Sequence, residues 1–388
     1  MRRQLLATYD FPPMGGGISR MMGELAQRYP AGTLLVSTGS HPGSEPVDAS
    51  LLNRVDRIGV PSSRLRTIQG LLAWSQRARA LAQSFRPKFV WCGNFKPAGY
   101  PALWLRRRER IPYGIFLYGS ELLLLRNRVG SWRKSVAAKA ILRDASVLVT
   151  ISAWTRQLCL DVLAELGWSP GAFDVRTIPL GTDPHRFQPG LDTSEVRERY
   201  GLENGRWLLT VARLAAHKGV DTGLQVLSNL RRDHPDVRYA VVGSGIKLEQ
   251  LQALARELGV ADRVRFLTDV PDADLPALYN CAEIYLGLSR PAELLIEGFG
   301  ISFSEAAACG IPAIGGQAGG IPDAVKDGET GILVDSTDPK AVGQTVRCLL
   351  EDRALARRMG HAGRRAVERY FNWDRVTADI HAIGEELA

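Results

Sequence analysis

The stretch from Arg290 to Val325, RPAELLIEGFGISFSEAAACGIPAIGGQAGGIPDAV, decides how the rest of the chain is read. Glu297 precedes Gly298-Phe299-Gly300, and a second acid, Glu305, follows. The alanine-rich run 302–309 closed by Gly310 predicts a short helix, because glycine is favoured just past a helix end. Apolar residues 311–314 predict a strand, the glycine-rich loop 315–320 comes next, and Pro322 beside Asp323 suits the first turn of another helix. Main-chain N–H groups at a helix start favour negative charge or oxygen acceptors. A carboxylate one turn inside such a helix can accept two hydrogen bonds from a vicinal diol such as a ribose. The pattern points to a sugar-nucleotide site.

The rest of the second half alternates strands and helices. After an apolar strand at 207–211 come Arg213 and Lys218, two cations beside a strand's carboxyl end, placed to clamp a pyrophosphate. His217, between them, is read as an exposed side chain. A strand at 239–242 ends in Gly243-Ser244-Gly245, but Leu248 stands where a dinucleotide fingerprint needs glycine. Helical patterns fill 339–370 and 373–387.

The first half alternates in the same way, which implies a parallel sheet wrapped by helices. Gly15-Gly16-Gly17 lies between the first strand and the first helix, where glycine lets main-chain N–H groups approach a phosphate. Residues 64–86 read as an amphipathic helix, with Leu65, Ile68, Leu72, Leu81 and Phe85 on its apolar side. Tyr118-Gly119-Ser120-Glu121 follows a strand, where open α/β sheets place ligands. The Pro and Gly content of 178–189 marks a domain boundary.

A chain of 388 residues makes two ordinary domains, and 45% hydrophobic with 23% charged residues is the balance of a soluble globular protein. No apolar run approaches the roughly 20 residues of a membrane span, and the N-terminus is too short and polar for a signal peptide. Five scattered cysteines without a CxxC argue for reduced thiols in a cytoplasm. Six scattered histidines show no metal cluster. Residues 1–185 carry 25 Lys+Arg against 12 Asp+Glu, and residues 186–388 carry 24 against 29. The basic half, with arginines concentrated at 64–86, 106–110 and 126–143, is expected to meet something anionic: a membrane surface or a phosphorylated acceptor. No nucleic-acid motif accompanies the charge, so nucleic acid is not expected as a partner.

E-G-F-G-x4-E at 297–305, A-x-x-C-G-x-P at 306–312 and G-G-x-P-D-x-V at 319–325 resemble the signature of retaining family-four glycosyltransferases. R-L-x-x-x-K-G at 213–219 and I-P-x-G-x-D-x-x-x-F-x-P at 178–189 resemble that family's phosphate loop and interdomain connection. The resemblance implies an α/β chain of GT-B fold, two Rossmann-like domains facing across a cleft. Residues 1–185, with a crossover helix at 373–388, would bind the acceptor, and residues 186–372 the nucleotide-sugar donor. By the same resemblance Glu297 meets the transferred hexose, and the main chain of Phe299, Gly300 and Ile301 binds its hydroxyls. Glu305 holds the ribose, Arg213 and Lys218 the donor phosphates, and Gly243 forms a turn facing the nucleotide. Gly16 and Gly17 belong to a loop that faces the donor phosphates and the acceptor. Tyr118 and Ser120 stand at the two positions where the family carries a histidine near the sugar, so that contact is in doubt here. Glu121 matches an acidic position near the acceptor.

What the resemblance implies about chemistry is a retaining, metal-independent hexosyl transfer, in which the departing diphosphate helps deprotonate the acceptor hydroxyl. The nucleotide sugar (GDP-mannose or a UDP-hexose) is a co-substrate, no cofactor or metal is expected, and no D-x-D adjoins a strand. The loop 289–296 is longer than the commonest form and resembles that of some bacterial lipid mannosyltransferases. A lipid-linked or glycan acceptor in glycolipid or cell-surface polysaccharide synthesis follows, with the enzyme peripheral on the inner face of a membrane. A nucleotide-sugar epimerase of similar fold and a non-catalytic sugar-nucleotide binding protein remain as alternatives.

Overall fold

The computed structural model describes residues 1–127 and 132–388, and side chains outside 128–135. In the basic segment 126–143, Arg128 therefore lies outside the described residues, as do the side chains of Arg133 and Lys134.

The chain divides into two compact units, one of Met1–Ile178 with Trp373–Ala388 and the other of Pro179–Asn372. In the first, β1 (Gln4–Ala7), β2 (Leu34–Ser40), β3 (Arg54–Pro61), β4 (Phe89–Cys92), β5 (Tyr113–Leu117), β6 (Val147–Thr150) and β7 (Val175–Thr177) form a parallel sheet ordered β3-β2-β1-β4-β5-β6-β7. In the second, β8 (Arg206–Val211), β9 (Val237–Val242), β10 (Val264–Leu267), β11 (Ala282–Gly287), β12 (Ala313–Gly316) and β13 (Gly331–Val334) are ordered β10-β9-β8-β11-β12-β13, again parallel throughout. Both sheets are Rossmann-like. Strands β1, β4, β5 and β6 are buried end to end, as strands covered on both faces must be. In each sheet the strand order reverses beside the first strand, at β1/β4 and at β8/β11. Crevices outside the carboxyl ends of such switch points are where open α/β sheets bind ligands.

The boundary falls at Ile178–Pro179, ahead of the 185/186 position read from the sequence. Residues 179–187 are tied to the second unit: Thr182 N–H donates to Phe371 O at 2.9 Å, and Arg364 donates to the carbonyls of Pro184 and Phe187. The helical pattern 339–370 is two helices, Pro339–Glu351 and Arg353–Arg369, separated by Asp352, whose carboxylate caps the second by accepting from Leu355 N–H.

The helix read at 64–86 runs Ile68–Phe85, capped by Thr67, and of the apolar side read from the sequence Leu65, Leu81 and Phe85 pack inward while Ile68 and Leu72 do not. Gly70, Trp74, Ala78, Leu81 and Ala82 face inward, and Trp74 donates its indole N–H to Ser37 Oγ at 3.0 Å. Ile68 and Leu72 are left 78% and 59% exposed. The basic stretches are also partly neutralised: Arg77 pairs with Asp56, Arg79 with Glu109, Arg107 with Asp144 and Arg126 with Glu165. Among the described residues no helix is long and apolar enough to cross a membrane.

The closing helix Trp373–Leu387 completes the first unit with Trp373, Val376, Ile380 and Ile383, and Asp374 accepts from Arg28 at 3.0 Å. Ile380 is fully buried, so Ile380→Ala should cost about 2–5 kcal/mol in urea unfolding of the first unit. A loss below about 1 kcal/mol would show that this helix adds little to that core.

Candidate active site

The loops after β8 and β11 meet at the second unit's switch point. Past β8, Arg213 is exposed, residues Ala216–Lys218 make one 3-10 turn, and Gly219 turns the chain with φ +68°. A Cβ at Gly219 would lie 1.9 Å from Leu288 O, so only glycine lets this loop touch the end of β11. Arg290 extends the contact: its N–H donates to His217 O at 2.8 Å, and its guanidinium reaches Asp221 and Thr222. The result is an ion pair between Lys218 Nζ and Glu297 Oε2, both largely buried. Gly319 closes the site from the third loop. It has φ +59°, and its Cβ would lie 2.2 Å from Glu297 O, while Gly320 N–H donates to that same oxygen at 2.9 Å. Burial works to raise the Glu297 carboxyl, but the Lys218 ammonium, with His217 and Arg213 beyond it, holds it below the ordinary value.

His217 corrects the sequence reading: it is 3% exposed, and its Nδ1 has no hydrogen-bond partner. Burial, then the neighbouring Lys218 cation, pushes the imidazole down to about 4. A neutral ring thus separates the two cations, which avoids a third positive charge where they already repel.

Gly300, with φ +94°, starts the helix Ile301–Ala308, which has no side-chain cap and no acid in its first turn. Its N–H groups remain suited to oxygen acceptors. Phe299 is a core side chain, packed 6.0 Å from Phe371, so only its main chain can meet a ligand. Glu305 lies on the inner side of this helix, 2% exposed, and accepts a hydrogen bond from Tyr279 Oη at 2.7 Å. Gly243, φ +130°, packs against Ala212 O and joins the loops after β9 and β8.

The remaining sequence-read positions are in the first unit. Gly16 precedes the helix Gly17–Arg28, which carries no acid in its first turn, and a Cβ on Gly15 or Gly16 would meet nothing within 4 Å. Tyr118 donates its hydroxyl to Gly93 O at 2.8 Å, whereas Ser120 is exposed. Of the two residues in the histidine position, Ser120 is the one open to a ligand. Glu121 is half-buried. It accepts from the N–H groups of Tyr118 and Gly119 and from Ser120 Oγ, and burial raises its carboxyl against those bonds. These bonds tie it to its own loop.

Sequence reading missed Asn94, just past β4. Its Oδ1 accepts from Tyr9 N–H at 2.7 Å and its Nδ2 donates to Asp10 at 2.6 Å, latching the ends of β1 and β4. Arg66 lies 4.2 Å over the Tyr9 ring. A polar residue at the carboxyl end of a switch-point strand was the available signal. The D-x-D at 272–274 is engaged elsewhere: Asp272 pairs with Arg186, and Asp274 with Arg199 and Tyr200.

The chain is similar to known proteins in both sequence and fold. A family model described as glycosyl transferases group 1 matches residues 192–366, and one described as a glycosyl transferase 4-like domain matches 16–181. The chain is 33% identical over 380 residues to a GDP-mannose-dependent alpha-(1-6)-phosphatidylinositol monomannoside mannosyltransferase of Mycolicibacterium smegmatis, covering 95% of this chain and 94% of that one. It is 34% identical over 232 residues to a D-inositol 3-phosphate glycosyltransferase of Corynebacterium jeikeium, covering 57% of this chain and 54% of that one. Among solved structures, sucrose-phosphate synthase from Thermosynechococcus elongatus superimposes with TM-score 0.79 at 21% identity, covering 100% of this chain and 99% of that one. Anabaena HepE in complex with UDP-glucose gives TM-score 0.79 at 19% identity, covering 99% of each. Both likenesses show the GT-B fold.

The buried neutral His217 carries a pH dependence. Between its ordinary value of 6.5 and about 4, the unfolded chain binds a proton at this ring that the folded chain does not. Its contribution therefore lowers stability as pH falls through that window. His217→Gln should lose less stability than the parent chain between about pH 7 and about pH 5 in urea unfolding. Equal losses in both would remove this account of the imidazole.

Proposed function

The chain belongs to the group 1 glycosyl transferases, and we propose that it moves mannose from GDP-mannose to a phosphatidylinositol-based glycolipid, with retention and without a metal ion. The observation that carries this reading is the Lys218–Glu297 pair with Arg213 on the same loop, at the switch point of the second unit. Negative charge grows on the departing diphosphate during transfer, and two fixed cations stabilise it most where their geometry is already set. Glu297, kept ionised by Lys218, can accept hydrogen bonds from sugar hydroxyls and stabilise positive charge developing at the sugar carbon. The acceptor hydroxyl passes its proton to the leaving diphosphate oxygen, on the same face of the sugar. The choice of mannose and of a phosphatidylinositol acceptor is supported by the relative that matches along nearly the whole chain. Ser120 and the loop at Gly16 and Gly17 are assigned to the sugar and acceptor side.

Peripheral attachment to an anionic membrane is part of the proposal. Ile68 and Leu72, one turn apart on the helix Ile68–Phe85, stand in solvent next to exposed Arg64 and Arg66. Apolar side chains flanked by cations suit an interface of acyl chains and anionic headgroups, where each basic residue adds about 1 kcal/mol.

Arg213→Ala and Lys218→Ala should each lower kcat by about 100-fold, with a smaller change in KM for GDP-mannose, because the charge they meet is largest in the transition state. Activity should survive excess EDTA, and NMR of the product should show the donor's α configuration kept. Mutants altered only in KM, activity lost to EDTA and restored by divalent metal, or a β product would each contradict the proposed mechanism.

Sedimentation with vesicles checks the attachment. The protein should pellet with phosphatidylinositol-containing vesicles at low salt, pellet less as salt screens the charge, and lose most binding when Ile68 and Leu72 are both changed to serine. Equal pelleting of the serine variant, or none by the parent chain, would defeat the membrane assignment.

A further inference from the structure

We infer that Tyr279 is a positioning residue for the donor, holding the Glu305 carboxylate in the orientation that meets the nucleotide's ribose. The inference rests on the assignment of Glu305 to the ribose. Tyr279 comes from a different element, the helix Leu275–Asn280 that leads into β11. Its hydroxyl donates to Glu305 Oε2 at 2.7 Å. The donor is itself immobile: the ring is 0% exposed, with the edge-on Phe187 ring 5.8 Å away and the Tyr285 ring 5.9 Å away. The hydroxyl is therefore placed by aromatic packing, and the carboxylate is placed by the hydroxyl.

A glutamate side chain has three rotatable bonds, and fixing one carboxylate oxygen removes most of that freedom before any ligand arrives. A carboxylate has about four acceptor sites, which suits it to the paired hydroxyls of a ribose. A glutamine oxygen would accept the same bond from Tyr279, so a purely structural role does not call for a carboxylate here. The neighbouring pair repeats the device: Tyr285 Oη donates to Ser302 Oγ at 2.6 Å, in the first turn of the same helix. The tyrosines thus anchor two polar side chains of the helix Ile301–Ala308 from behind.

Tyr279→Phe keeps the ring and removes the bond. Calorimetry of the full chain with GDP and with 2′,3′-dideoxy-GDP, and with the corresponding UDP pair, separates positioning from packing. The variant should bind GDP about tenfold more weakly than the parent chain, the scale of a hydrogen bond to a charged group. Its affinity for the dideoxy nucleotide should be unchanged. Donor KM should rise by a similar factor with kcat nearly constant, and Tyr279→Phe added to Glu305→Gln should cost little more. Equal losses on both ligands would reduce Tyr279 to a packing residue and overturn the inference, as would no loss on either. A parent chain that binds GDP and dideoxy-GDP equally would remove the ribose assignment itself, and the inference with it.

Discussion

Lys218 and Glu297 are 79 residues apart in the chain and share one ion pair, and the geometry of the second unit's switch point follows from bringing them together. Charge attraction alone cannot do this, since removing two ions from water costs several kcal/mol each before they interact. The approach is made by backbone. Gly219 admits Leu288 O and Gly319 admits Glu297 O, each at distances that a Cβ would occupy. Once three loops are locked by these contacts, the cation and the acid have little choice of partner. The pair then has two consequences. It keeps the acid below its ordinary value in a buried place, and it holds the Lys218 ammonium at the acid.

Three carboxylates near the strand ends show how environment divides one chemistry into several. Glu297 faces a cation and is held below its ordinary value. Glu121 faces main-chain N–H groups, but burial outweighs them and raises its carboxyl. Glu305 faces a phenol fixed by aromatic packing. An acid that stays charged can stabilise developing positive charge or bind hydroxyl donors, while one drawn toward neutrality loses part of that capacity.

Much of the fold was legible in the sequence because its signals are local. Alternating apolar runs and helical patterns, Gly310 after an alanine-rich helix, and proline and glycine at 178–189 each act over a few residues. The site was legible as a set of positions but not as an arrangement. Nothing in R-L-x-x-x-K-G says that its lysine meets Glu297, nor that His217 is enclosed, because both depend on loops brought from elsewhere in the chain. The helix Ile68–Phe85 failed in a different way. Its aliphatic periodicity was real, but Gly70, Trp74 and Ala78 are buried while Ile68 and Leu72 are exposed. Tyr118 and Ser120 looked interchangeable in sequence, and only the bond to Gly93 O separated them.

The two units use one strand order, so the order cannot explain why their loops differ, but the glycines can. Gly219, Gly243 and Gly319 in the second unit are crowded: each admits a carbonyl, and their absence of side chain is spent on packing loop against loop. Gly15 and Gly16, after the first unit's first strand, have open space where a side chain would be. Packing does not require glycine there. What does is the conformation at Gly16, φ +115°, at the start of a helix without a side-chain cap. The same residue type therefore lets loop pack against loop in one unit and leaves open space in the other. Under the proposed function, the first suits fixed charges for a leaving diphosphate and the second suits room for an incoming acceptor.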